Sequence, residues 1–165
     1  MKGADMGIVG LGVMGQMLAL NMERNGFHVA GYDVDDKKVA DINRRYADRN
    51  VEAFSDLGAF LAALNEPRRI MMMVPAGKPV DVVIEQLKGE LTIGDLLIDG
   101  GNSHYRDTER RTAMLEAMGL HYIGTGVSGG EYGALWGPAI MPGGPREAWE
   151  LIKPVFEAVA AKVDG

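Results

Sequence analysis

Gly10-Leu11-Gly12-Val13-Met14-Gly15 fits the spacing G-x-G-x-x-G. In that pattern the first glycine permits a tight turn and the second lets the backbone come against a pyrophosphate. The third lets a helix pack closely on a strand. A helix beginning inside such a loop offers unpaired N–H groups and the positive end of its dipole to phosphates. The chain has 23 glycines, nearly twice the usual share of about 7%. The pattern alone is therefore weak, and a βα turn that binds nothing would also carry it. Its context strengthens it, because a short apolar run (MGIVG) precedes the loop and Asp33 follows Gly15 by 18 residues. A carboxylate at that place accepts hydrogen bonds from the hydroxyls of an adenosine ribose. Asp35 and Asp36 crowd the same turn, so a 2′-phosphate there would face three carboxylates. Lys37 and Lys38 are expected on the helix that follows, and one of Asp35 and Asp36 is expected to cap that helix. The acidic cluster favours NAD over NADP.

Three further stretches place polar groups in glycine-rich frames. They are Met73-Val-Pro-Ala-Gly-Lys-Pro-Val-Asp81, Ile98-Asp-Gly-Gly-Asn-Ser103, and Gly126-Val-Ser-Gly-Gly-Glu-Tyr-Gly-Ala134 followed by Gly137-Pro-Ala-Ile-Met-Pro-Gly-Gly144. Each stands at the C-terminal end of an expected strand, where doubly wound sheets bind ligands.

The elements that must position these loops alternate along the whole chain. Strands are predicted at Met6–Gly10, Phe27–Tyr32, Arg69–Val74, Asp95–Asp99 and His121–Val127, with a short apolar piece at Ala139–Met141. Helices are predicted at Val13–Asn25, Asp35–Tyr46, Asp56–Leu64, Val80–Leu87, Arg106–Met118 and Pro145–Ala161, the last with Pro145 near its first position. Strands alternating with helices imply βαβ units, hence an α/β, Rossmann-like, doubly wound and mostly parallel sheet covered on both faces. One domain is expected to fill residues 1–165.

Composition narrows the function classes. The 165 residues (17.8 kDa) are 47% hydrophobic and 24% charged, the range of a globular domain rather than a disordered chain. A net charge of −6 argues against a general nucleic-acid binder. No apolar run approaches the ~18 residues of a membrane span. The N-terminal residues lack the succession of a secretory signal, so a cytoplasmic location is expected. With no cysteine and three scattered histidines, neither a disulfide framework nor a metal triad is expected.

Together with GLGVMGQMLALNM, the pair IDGGNS and GVSGGE closely resembles the N-terminal domain of the decarboxylating 6-phosphogluconate dehydrogenases, over Met6 to about Lys162. The resemblance implies an oxidoreductase of the pentose phosphate pathway that oxidises C3 of 6-phosphogluconate and releases CO2, giving ribulose 5-phosphate. It implies that Gly10, Leu11, Gly12, Val13, Met14, Gly15, Asp33, Val34, Asp35, Val74, Pro75, Ala76 and Asn102 bind the cofactor. Asn102, Ser128, Gly129 and Gly130 would bind the substrate. The residue types suit these roles. An Asn amide both donates and accepts, so it can bridge a ribose and a sugar hydroxyl. Ser128 with the N–H groups of Gly129 and Gly130 can form a small anion- and hydroxyl-binding turn. A plain tight turn needing positive φ is the alternative reading of SGG.

Two departures from the family pattern bear on function. The common NADP-dependent form has Asn-Arg-Thr where this chain has Asp33-Val34-Asp35, and losing the arginine removes a bidentate phosphate ligand. Leu135-Trp136 stands where the family often has arginine, and packing is the expected role of Trp136. The family's general base is a Lys, and its acid a Glu, on a helix within Lys-x-x-x-His-Asn-x-x-Glu. That pattern does not occur in these residues, and Lys162 is no substitute. No catalytic acid–base residue is therefore expected here. The resemblance places the large helical domain, with further phosphate ligands and the dimer interface, outside these residues. The other readings are a free-standing dinucleotide-binding module and a related β-hydroxyacid dehydrogenase domain.

The remaining residues read as bland. His28 and His121 are expected at surface or edge positions, and His104 is a weaker candidate for the cleft. Met14, Met17, Met22 and Met71–Met73 fall at core spacings. Arg106, Arg110 and Arg111 are expected on a solvated helix face, and Arg44-Arg45 likewise.

Overall fold

A computed structural model describes residues 3–163. Its order is β1 (Met6–Val9), α1 (Val13–Arg24), β2 (Val29–Tyr32), α2 (Asp36–Arg45), β3 (Val51–Phe54), α3 (Leu57–Ala62) and β4 (Arg69–Met72). There follow α4 (Lys78–Leu87), β5 (Leu96–Asp99), α5 (Tyr105–Glu116), β6 (His121–Ser128), α6 (Gly130–Trp136), β7 (Ala139–Gly143) and α7 (Arg146–Val159). The strands form one seven-stranded sheet in the order β3-β2-β1-β4-β5-β6-β7. Every pairing is parallel except β6 with β7, which is antiparallel. This is the expected doubly wound, mostly parallel sheet.

The central strands are buried on both faces, which is why they read as unbroken apolar runs rather than alternating ones. Met71 joins the core beneath α1, α2, α6 and α7, with Ile8, Leu18, Met22, Ile98 and Ile152. Its neighbours Ile70 and Met72 join the opposite core, with Phe60, Ile84, Leu97 and Leu115 from the side of α3, α4 and α5. Met14 and Met17 pack at the border of the first core, as their spacing implies. On α7, Ile152, Val155 and Phe156 are buried, with Trp149 packed against them.

Four features differ from the sequence reading. β3, absent from it, is only four residues long and alternates buried Val51 and Ala53 with exposed Glu52. Gly130–Trp136, read as turn and loop, is a short helix begun at Gly129 (φ +135°). Pro145 stands at the N-cap of α7 rather than inside its first turn. Arg111, expected on a solvated face, is fully buried, whereas Arg106 and Arg110 stay exposed.

The turn from β1 into α1 brings two backbone segments close together. Gly10 has φ +94°, and a Cβ on Gly15 would stand 2.0 Å from the Gly10 carbonyl oxygen. The first turn of α1 therefore sits directly on the end of β1. Gly15→Ala is expected to destabilise the domain by about 1–3 kcal/mol through this backbone overlap. Urea denaturation should show a lower midpoint at an unchanged slope; an unchanged midpoint would mean the contact relaxes freely.

Candidate functional site

The direction in which successive strands are added to the sheet reverses between β1 and β4, since β2 and β3 lie on one side and β5, β6 and β7 on the other. At such a switch point the loops after neighbouring strands part and leave a crevice at the strands' C-terminal ends. All four sequence motifs converge there. Two cavities occupy the crevice and share Val74 and Pro75 as their common wall.

The first cavity, of about 470 Å³, is mostly apolar and is lined by Val9, Gly10, Tyr32, Asp33, Val34, Lys78, Pro79, Val82, Val83 and Gln86 beside the shared wall. Asp33 is its only carboxylate. Its Oδ2 accepts from the Leu11 N–H (2.9 Å) and from Lys38 Nζ (2.8 Å), and its Oδ1 from the Asp35 N–H (3.0 Å). Burial raises the Asp33 carboxyl, but the bonds from Lys38, Leu11 and Asp35 outweigh it and hold its pKa below the ordinary carboxylate value. The group is therefore a fixed anionic acceptor at neutral pH. Val34 lies exposed at the cavity rim. Asp35 turns away to cap α2, accepting from the N–H groups of Lys37 and Lys38. Lys38 lies on α2 as expected, yet reaches back to Asp33.

The second cavity, of about 340 Å³, is lined by Gly12, Val13, Met14, Gly15, Met73, Gly100, Gly101, Asn102 and Val127 beside the shared wall. The N-cap of α1 is Gly12, which has no side chain to satisfy the first-turn N–H groups, and a Cβ there would meet nothing within 4 Å. Backbone donors and open space thus coincide, the condition for a phosphate at a helix N-terminus. Leu11 acts only through Asp33, to which its N–H donates, because its side chain is buried. Ala76 is exposed in the turn after β4 and lines neither cavity.

Asn102 adopts φ +57°, the only described residue other than glycine with positive φ. Its Oδ1 accepts from the Val127 N–H at 3.1 Å, which ties the loop after β5 to the end of β6. Ser128 follows, exposed, with Gly129 and Gly130 at φ +135° and +62°. Asn102 and Ser128 are thereby brought to one edge of the second cavity, although Ser128, Gly129 and Gly130 line neither cavity. His104 instead caps α5, its Nδ1 accepting from the Arg106 N–H (3.3 Å), while its ring packs on Tyr105. Trp136 is exposed and covered by the Arg24 guanidinium, 4.2 Å from its ring centre. Among the described residues no helix is long and apolar enough to cross a membrane, and no group of three or more His, Cys, Asp or Glu could hold a metal ion.

A parallel sheet whose switch point holds a glycine turn, a helix N-terminus and an anchored carboxylate defines a dinucleotide-binding domain. Residues 5–164 match the family model described as the NAD binding domain of 6-phosphogluconate dehydrogenase, and the chain belongs to that family. It is 54% identical, over 98% of its length, to a decarboxylating 6-phosphogluconate dehydrogenase of Treponema pallidum, and 48% identical to an NADP(+)-dependent one of Bacillus subtilis. The chain spans about a third of the length of those relatives (33% and 35%). The solved 6-phosphogluconate dehydrogenase of Plasmodium falciparum superposes with a TM-score of 0.91 at 33% identity, over 97% of this chain and 35% of that one. Its structures include complexes with NADP+ and with 6-phosphogluconate. The 3-hydroxyisobutyrate dehydrogenase of Salmonella typhimurium shares the fold alone (TM-score 0.79, 24% identity, 94% of this chain and 53% of that one).

Gly12→Val is expected to remove measurable dinucleotide binding while the domain stays folded, because the new side chain enters open space that a pyrophosphate would fill. Circular dichroism should match the wild type while calorimetric titration with NAD gives no heat. Retained affinity would make the loop a structural turn only.

Proposed function

We propose that these residues hold the nicotinamide dinucleotide, and one face of the sugar acid, in an enzyme that oxidatively decarboxylates 6-phosphogluconate to ribulose 5-phosphate. The observation that carries this reading is the pair of cavities joined at Val74-Pro75, with Asp33 at one end and Asn102 at the other. The adenosine belongs in the larger cavity, its ribose hydroxyls donating to Asp33. The pyrophosphate belongs against the N–H groups that follow Gly12, and the nicotinamide beside Asn102. The dinucleotide, when bound, supplies a hydride acceptor. The chain's own residues do the orienting: Asn102 can bridge the ribose and the sugar acid, and Ser128 with the N–H groups of Gly129 and Gly130 can fix its carboxylate or hydroxyls. Identity of about 50% to 6-phosphogluconate dehydrogenases, against 24% to the 3-hydroxyisobutyrate enzyme, favours this substrate over a small hydroxy acid.

We further infer a preference for NAD. Asp33 and the exposed Val34 stand where the NADP-dependent pattern has Asn and Arg, and Asp36 adds charge nearby. Lys38 is already bonded to Asp33, so a 2′-phosphate would have to break that pair to use it. Two relatives use NADP, so the preference rests on these residues rather than on kinship. Setting a phosphate against Asp33 should cost about 1–3 kcal/mol, roughly 5- to 150-fold in affinity. Calorimetric titration should show NAD binding tighter than NADP by that factor, and Asp33→Asn with Val34→Arg should narrow or reverse it. Equal or tighter NADP binding by the wild type would refute the preference.

Neither Asn102 nor Ser128 is basic enough near pH 7 to remove the C3 hydroxyl proton, and a positioned base and acid each contribute about 10²–10⁴-fold. Residues 1–165 on their own are therefore expected to bind NAD without turning over 6-phosphogluconate. The assay is NADH absorbance with preparations free of host enzyme. Turnover that tracks this chain and is lost in Ser128→Ala would place the acid–base group within it.

A further inference from the structure

Arg111 stands mid-helix in α5, and its buried guanidinium reaches two different loops of the cleft. Nε donates to Asp81 Oδ1 (2.9 Å) and Nη2 to the Gly77 carbonyl (3.0 Å), both at the start of α4. Nη1 donates to Asp99 Oδ2 (3.3 Å) and Ser103 Oγ (3.1 Å), which bracket Asn102 in sequence. Asp99 is gripped from every side: its Oδ1 accepts from the Gly101 N–H (2.9 Å), and its Oδ2 also from the Ser103 and Tyr122 hydroxyls. The loop that carries Asn102 is thus closed on a carboxylate that Arg111 ties to the start of α4.

Helix docking does not call for such a group. α5 already buries Leu115, and α4 buries Val80, Ile84 and Leu87, so both helices have apolar anchors of their own. Apolar side chains in place of Arg111 and Asp99 together would fill the space without removing charges from water, a replacement that is often neutral or favourable for stability. What only a guanidinium supplies is a rigid fork of donors aimed at several acceptors at once. Here those acceptors belong to the loops after β4 and β5, which pack against each other and both contribute to the wall of the second cavity.

We propose that Arg111 is a positioning residue for the nicotinamide half of the cleft, clamping the Asp99–Ser103 loop to the first turn of α4 so that Asn102 is held in its left-handed conformation. Asparagine tolerates that conformation better than most residues with a Cβ, but it remains the minor one for it, so contacts that hold the loop favour it. The Val127 N–H fixes the Asn102 side chain, and the clamp fixes the backbone on either side of it. The proposal rests on the reading that this cleft holds a nicotinamide dinucleotide.

The test compares NAD with AMP, which fills only the adenosine cavity, by calorimetric titration of wild type, Arg111→Lys and Ser103→Ala. Ser103→Ala removes one hydroxyl of the clamp without leaving a buried charge unpaired, so it keeps the test open should Arg111→Lys fold poorly. Each variant is expected to bind NAD about tenfold more weakly, the equivalent of one hydrogen bond to Asn102 lost. AMP affinity should stay within about twofold, because α4 keeps its apolar anchors. In an Asn102→Ala background, Ser103→Ala should weaken NAD binding no further, the non-additivity of groups acting through one another. NAD affinity unchanged in both variants, NAD and AMP falling together, or full additivity with Asn102→Ala would each overturn the clamp. A wild type that binds no NAD would overturn the cofactor reading and this proposal with it.

Discussion

The site depends on how closely α1 can sit on the end of β1. A Cβ at Gly15 would lie 2.0 Å from the Gly10 carbonyl, so only a glycine there lets the helix begin within one turn of the strand. That approach puts the N-terminus of α1 over the switch point rather than to one side of it. It also aims the Leu11 N–H at Asp33, at the tip of the neighbouring strand. The phosphate-facing end of a helix and the ribose-facing carboxylate are therefore set by one backbone contact. Neither depends on a long side chain finding its place.

The other wall is built differently. Residues after β5 need a left-handed asparagine, a conformation this residue type tolerates but does not secure by itself, and the fold holds it through Asp99, Ser103, Tyr122 and the Val127 N–H. One half of the cleft is thus fixed by glycine sterics and the other by buried polar bonds. Low dielectric strengthens such bonds when every partner is satisfied. Two cores on opposite faces of the sheet carry these walls, and alternate residues of β4 enter each: Ile70 and Met72 one, Met71 the other.

What was legible in the sequence followed this division. The glycine turn, Asp33, the strand-end motifs and the doubly wound order could be read because local backbone geometry dictates residue type there. The capping role of Asp35 is equally local. β3 escaped because four residues with a central glutamate make too short a period, and its strand character comes from pairing with β2. Arg111 escaped because three of its four acceptors lie at least twelve residues away, at Gly77, Asp81 and Asp99. Beside Arg106 and Arg110 it looks like one more surface charge. The position of Lys38 on α2 follows from the sequence, but its reach back to Asp33 depends on how α2 leaves β2. Trp136 was expected to pack; it does so on the surface, beneath Arg24, 112 positions away in the chain.

The orientation of a bound dinucleotide tests the central claim most directly. A crystal structure of this chain grown with NAD should show the adenine in the larger cavity between Val34 and Val82, with ribose hydroxyls on Asp33. The pyrophosphate should lie against the backbone after Gly12 and the nicotinamide beside Asn102. A nucleotide bound in the reverse direction, or outside the crevice between β1 and β4, would contradict it.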